Sequence, residues 1–205
     1  MMSRGNTNCF DYAINNLPSQ APIVEIGSFL GLSANTISYL KNKYQKTNPL
    51  ITCDKWSVEE FYPGNTLGDH SQITFDQYNK YLKQSYINNI QMFSNFDLPY
   101  TIEKYSDDFF SLWEKASQTY DVLNRSIQLG GPISFCYIDG NHSYEYSRRD
   151  FLNCDKHLEK NGFVLFDDSH DGSGFGVCKV MGEVMATGRY KLIDKNPNYF
   201  FKKIS

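Results

Sequence analysis

Five short strand-like runs, alternating along the chain with stretches that have the spacing of a helix, limit this chain to very few architectures. The runs are Ile23 to Ile26, Leu50 to Cys53, Tyr100 to Tyr105, Ile133 to Ile138 and Phe163 to Phe166. After the first, Leu32, Ile37, Leu40 and Tyr44 recur on roughly one helical face. After the second, Trp56 to Gly68 holds Pro63, Gly64 and Gly68 and reads as a loop. Thr74 and Gln77 then form a capping box, opening a helix with Phe75, Tyr78, Leu82, Ile90 and Phe93 at helical spacing. The pattern predicts further helices from about Asp108 to Ile127, from Tyr144 to Leu158 with a C-terminal cap at Lys160, Asn161 and Gly162, and near Val177 to Ala186. A short amphipathic helix from Asn8 to Leu17 precedes them all, and Tyr190 to Asp194 with Tyr199 to Ile204 reads as a terminal hairpin. Strands alternating with helices imply an α/β fold: a mostly parallel seven-stranded sheet, helices on both faces, closed by a C-terminal antiparallel hairpin.

At 205 residues with 40% apolar content, the chain is expected to form a single domain over 1–205, with an N-terminal helical segment over 1–21 and a core over 22–205. A net charge of −3 supplies no basic face of the sort a phosphate backbone requires, which argues against nucleic acid as a partner. No window approaches the roughly 18 consecutive apolar residues of a membrane span, so no membrane partner is expected. The cysteines Cys9, Cys53, Cys136, Cys154 and Cys178 are scattered, odd in number and free of CxxC pairing. That usage suits a reducing cytoplasm better than a disulfide framework.

In an open α/β sheet, ligands bind beyond the carboxyl ends of the strands. Gly27, Asp54, Ser106, Asp139 and Asp167 all fall just past predicted strands, so they should gather along one edge. Glu25, Gly27, Ser28 and Gly31 lie in a strand-to-helix turn whose glycines allow close approach of a ligand or of a packed neighbour. The spacing is not the GxGxxG of dinucleotide sites. Asp54 follows Gly31 by 23 residues at a strand end, where a carboxylate can accept from both hydroxyls of a ribose.

These features together resemble the class I S-adenosylmethionine-dependent methyltransferases, from Ile23 to Ile204. The resemblance implies that Glu25, Gly27, Ser28 and Gly31 hold the methionine end of the cofactor, that Asp54 holds the ribose, that Ser106 and Asp107 grip the adenine, and that Asp139 borders the cofactor. More narrowly, the run IDGNHSYE from Ile138 to Glu145, Arg149 and Asp150, Gly162 to Asp168, and Gly176 with Val177 are similar to the macrocin-type sugar O-methyltransferases. That likeness implies Asp139, Asp167 and Asp168 as ligands of a divalent cation, normally Mg²⁺.

Converging carboxylates repel one another unless a cation neutralises them, and oxygen donors with room for water suit magnesium. His142 is the first candidate for the base that takes the acceptor's proton, and His170 the second. In several sugar methyltransferases the second position after the metal aspartate is an acid, whereas here Asn141 stands there and cannot serve as a base. Arg149 and Asp150 read as a solvated helix face with local salt links, Cys136 as core, and His70 and His157 as exposed. Trp56, Phe61 and Tyr62 are placed to line an acceptor pocket. The expected activity is O-methylation of a hydroxylated small molecule, a sugar or glycosylated metabolite, by a protein that pairs as a homodimer. Two alternatives stay open: a metal-independent transfer using a histidine base, and a nucleoside-binding module without turnover.

Overall fold

The computed structural model describes residues 3–57, 66–68 and 71–205. The elements run α1 (Arg4–Asn15), β1 (Ile23–Ile26), α2 (Leu32–Lys43), β2 (Leu50–Cys53), α3 (Phe75–Phe93), β3 (Tyr100–Ile102), α4 (Ser106–Glu114), β4 (Gln118–Tyr120), β5 (Ser126–Gln128), β6 (Ile133–Ile138), α5 (Tyr144–His157), β7 (Leu158–Phe166), α6 (Val177–Ala186), β8 (Tyr190–Lys195) and β9 (Tyr199–Lys203). A seven-stranded sheet has the order β3-β2-β1-β6-β7-β9-β8. Its first five strands are parallel, while β9 is antiparallel to both β7 and β8. The expected mostly parallel seven-stranded sheet with a terminal antiparallel hairpin is therefore present.

The central strands are buried on both faces because both sides of their pleat are apolar. Ile23, Phe135, Tyr137, Phe163, Leu165 and Phe200 pack toward α1, α2 and α3. Val24, Ile26, Cys136, Ile138, Val164, Phe166 and Phe201 face α4, α5 and α6. Cys136 is core, as its place in an apolar run suggested.

Three local readings are corrected. The helix expected from Asp108 to Ile127 ends at Glu114, with Ala116 in the left-handed region at φ 48°, and the remainder folds back as the β4–β5 hairpin. Asp121 makes that hairpin turn, its Oδ1 accepting from the Leu123 and Arg125 amides at 2.9 and 2.8 Å. The expected cap at Lys160 to Gly162 lies instead within β7, because Leu158 leaves the helix directly into the extended region and pairs with Ile133. Finally, α1 starts at Arg4, four residues before the expected Asn8, since the Ser3 side chain caps it by accepting from the Asn6 amide.

Parallel register brings the strand ends into line. The Gly27 amide donates to the Cys53 carbonyl at 2.9 Å, Asp139 to Ile26 at 2.8 Å and Asp167 to Ile138 at 2.9 Å. Each site residue is thus anchored to the end of the neighbouring strand.

Candidate active site

Beyond those strand ends lies a cavity of about 490 Å³, walled by Gly27, Phe29, Asp54, Trp56, Tyr105, Ser106, Asp107, Asp139, Gly140, Tyr146 and Asp150, among others. Its size suits a small-molecule cofactor. Gly27 is in the left-handed region at φ +85°, and a Cβ there would meet the Asp139 carbonyl oxygen at 2.0 Å, so the β1 turn closes onto β6 only with glycine.

Asp54 organises the turn. Its Oδ2 accepts from the Ser28 and Phe29 amides, each at 2.8 Å, and its Oδ1 accepts from the Trp56 amide at 2.6 Å. Burial pushes its pKa up and these amides pull it back down. Trp56 lines this cavity, with its indole donating to the Phe29 carbonyl at 2.8 Å, while Phe61 and Tyr62 lie outside the described residues. Gly31 is a packing glycine: it starts α2 at φ +84°, and a Cβ would touch the Tyr86 ring at 3.0 Å.

Glu25 is wholly buried beneath the turn, and neither carboxylate oxygen has a hydrogen-bond partner. The Ser33 and Ser28 hydroxyls nearby oppose the effect of burial, yet the pKa is pushed up to about 8. A carboxyl raised in this way binds its proton more tightly folded than unfolded. Stability is therefore fully present below about pH 4.5 and is lost as pH rises toward 8. Replacing Glu25 by glutamine is expected to remove about 2 to 3 kcal/mol of the stability lost between pH 5 and 7. Urea unfolding of both proteins at the two pH values measures it, and equal pH slopes would refute an unpartnered Glu25.

At the far side of β6 the acids and histidine meet. The Tyr137 hydroxyl donates to Asp139 Oδ2 at 3.0 Å, and Asp139 lies beside Asp167. Burial first, then the Asp167 charge, pushes Asp139 well above the usual carboxylate range. Asp167 Oδ1 accepts from the side-chain Nδ2 of Asn198 at 2.9 Å and from the side-chain Nδ2 of Asn6, so α1 and the β8–β9 turn both reach this cluster. His142 Nε2 is 3.8 Å from Asp139 Oδ1 and 3.8 Å from Asp168 Oδ2. His170 stands half-exposed in the following loop, and its carbonyl accepts from the Ser173 amide at 3.1 Å. It is not among the residues that wall the cavity.

For a divalent cation, the donor chemistry fits: hard oxygens, and a repelling Asp139–Asp167 pair that a positive charge would relieve. The third acid, Asp168, faces His142 instead. Among the described residues no three His, Cys, Asp or Glu side chains are disposed to hold one ion.

Two surface readings are overturned. Asp150 is 2% exposed and walls the cavity, so only Arg149 of that pair is solvated, lying 3.5 Å from Asp107. The helical repeat held the signal: Ser147, Asp150, Phe151 and Cys154 fall at i, i+3, i+4 and i+7 and are all buried. His157 is half-buried and stacks on Phe110 with ring planes 2° apart, and burial lowers its pKa. His70 lies outside the described residues.

This sheet order, with its antiparallel final strands and a cavity at the β1 turn, defines the Rossmann-like class I methyltransferase fold. Residues 24–169 match the family model described as "Methyltransferase domain", and the chain belongs to that family of enzymes. Among solved structures, the O-methyltransferase NovP is similar with TM-score 0.63 and 15% identity over 98% of this chain and 80% of that one. An O-methyltransferase from Bacillus cereus, solved in complex with SAH, gives 0.62 and 12% over 100% and 83%. CalS11, described as a TDP-rhamnose 3'-O-methyltransferase of calicheamicin biosynthesis, gives 0.59 and 15% over 96% and 77%. No curated protein matches the chain in sequence. Among the described residues no helix is long and apolar enough to cross a membrane.

Proposed function

We propose that this methyltransferase transfers the methyl group of S-adenosylmethionine to a hydroxyl of a small molecule, a sugar or glycosylated metabolite, with Mg²⁺ beside the acceptor. The observation that carries the reading is the meeting, at Asp139, of a nucleoside-sized cavity with a cluster of carboxylates and one imidazole. When bound, the cofactor supplies an electrophilic methyl on a positively charged sulfur and departs as a neutral thioether. Gly27 and Asp54 would hold its methionine and ribose portions, with Ser106 and Asp107 toward the base. Asp139 and Asp167 would hold the metal, joined by Asp168 if it turns from His142, and the metal's chemistry would be to lower the pKa of a coordinated hydroxyl. His142 takes the hydroxyl proton on Nε2, where two flanking carboxylates favour the resulting imidazolium. A sugar acceptor agrees with the substrate named for CalS11. The net charge of −3 speaks against a nucleic acid acceptor.

A second reading, transfer without metal, draws support from His142 lying between Asp139 and Asp168. Methyl transfer to a panel of sugars, assayed with Mg²⁺ and after EDTA, decides between them. The proposal expects loss of about a hundredfold or more in EDTA, restored by Mg²⁺. Full activity in EDTA would leave the histidine-only mechanism. A cytoplasmic setting is consistent with five free cysteines. Exposed Leu32, Tyr39, Met92 and Phe93 along α2 and α3 favour a homodimer.

A further inference from the structure

Asp150 is a buried ionisable group on the cavity wall that the mechanism above leaves unused. It sits on α5 at 2% exposure, forms part of the cavity wall, and its Oδ1 has no hydrogen-bond partner. Buried carboxylate oxygens without partners are rare in folded proteins, and each asks for an explanation. Gly140 lies against this carboxyl. That glycine also walls the cavity, and a Cβ there would stand 3.2 Å from Asp150 Oδ2, so a side chain at this position would crowd the carboxyl. Ser106 and Asp107 complete this end of the cavity from the start of α4.

We infer that Asp150 reads the adenine base of the cofactor, its carboxyl accepting a hydrogen bond from the exocyclic amino group. The inference rests on the S-adenosylmethionine reading of the cavity. The methyl must be delivered near Asp139 and His142, and Asp54 is placed for the ribose, which leaves the α4–α5 end for the base. Burial, opposed by the Ser106 hydroxyl, pushes the Asp150 pKa up to about 7, with Asp107 raising and Arg149 lowering it further. A carboxyl so easily neutralised matches a neutral amino donor better than the ammonium of the methionine portion, which would call for a fixed negative charge. An adenine amine would also supply the missing partner of a buried acceptor.

The test titrates the full-length protein calorimetrically with S-adenosylhomocysteine and with S-inosylhomocysteine, in which a carbonyl oxygen replaces the amino group. Wild type is expected to prefer the adenosyl compound by about tenfold or more. Asp150→Asn, whose amide both donates and accepts, is expected to bind the two within about threefold of each other. Asp150→Leu is expected to weaken adenosyl binding about tenfold, with thermal melts confirming that both variants fold. An unchanged preference in Asp150→Asn, or equal weakening of both ligands, would overturn the assignment to adenine alone. Wild type that binds neither ligand would overturn the cofactor reading, and this inference with it.

Discussion

With alanine in place of His142, methyl transfer is expected to fall about 10²- to 10⁴-fold in kcat while cofactor affinity stays within about twofold. The side chain can be removed cleanly. What ties the Ser169 to Gly176 loop to this corner is backbone: the Val177 amide donates to the His142 carbonyl at 3.0 Å, and a Cβ on Gly176 would meet the Tyr144 nitrogen at 2.1 Å. Neither contact needs the imidazole. The ring itself touches Phe175, with centroids 5.3 Å apart, and lies 3.8 Å from two carboxylates. Single-turnover rates and cofactor titration on the same preparation separate the two effects. Loss of cofactor binding in parallel with the rate would assign His142 to holding the loop, and an unchanged rate would move the base to His170 or to the metal-bound hydroxyl itself.

The sequence carried the parallel strands and their order of polar ends because each strand is short, apolar and immediately followed by its functional residue, as at Ile26 to Gly27 and Ile138 to Asp139. It failed where a local device competes with periodicity. Apolar Leu112, Val122, Leu123 and Ile127 look like a continued helix, but Ala116 and the Asp121 turn reverse the chain between them. At the site, Gly27, Asp54, Ser106, Asp107 and Asp139 do converge on one cavity. Gly31 packs against Tyr86, which fills its vicinity from a helix some fifty residues away in sequence. Asp150 was misread because a charged residue beside Arg149 looks solvated, although its helical phase put it inward. The reach of Asn6 and Asn198 to Asp167 joins opposite ends of the chain, and such contacts leave no mark in local spacing.

The Asp54 carboxylate makes the other large prediction. Oδ2 already accepts two turn amides and Oδ1 a third, so most of its acceptor capacity is spent on shaping the turn before any ligand arrives. A ribose hydroxyl can use what remains on Oδ1, and a second hydroxyl must compete with the amides. Asp54→Ala therefore removes a ligand contact and the template for the turn together. Cofactor affinity is expected to fall about 10³-fold or more, beyond calorimetric detection, since hydrogen bonds to a charged acceptor contribute about 1.5 to 3 kcal/mol each. The cofactor-free protein is expected to lose about 1 to 3 kcal/mol, because three amides lose their acceptor in a half-buried turn. Asp54→Asn should recover little of either quantity: turned to keep an oxygen on the Ser28 and Phe29 amides, its NH₂ meets the Trp56 donor, and the opposite rotamer only moves the conflict. If Asp54→Asn instead bound cofactor nearly as well as wild type, the carboxylate charge would be irrelevant to the turn, and ribose recognition would have to lie with Lys55, Trp56 and the other residues of the cavity wall after β2.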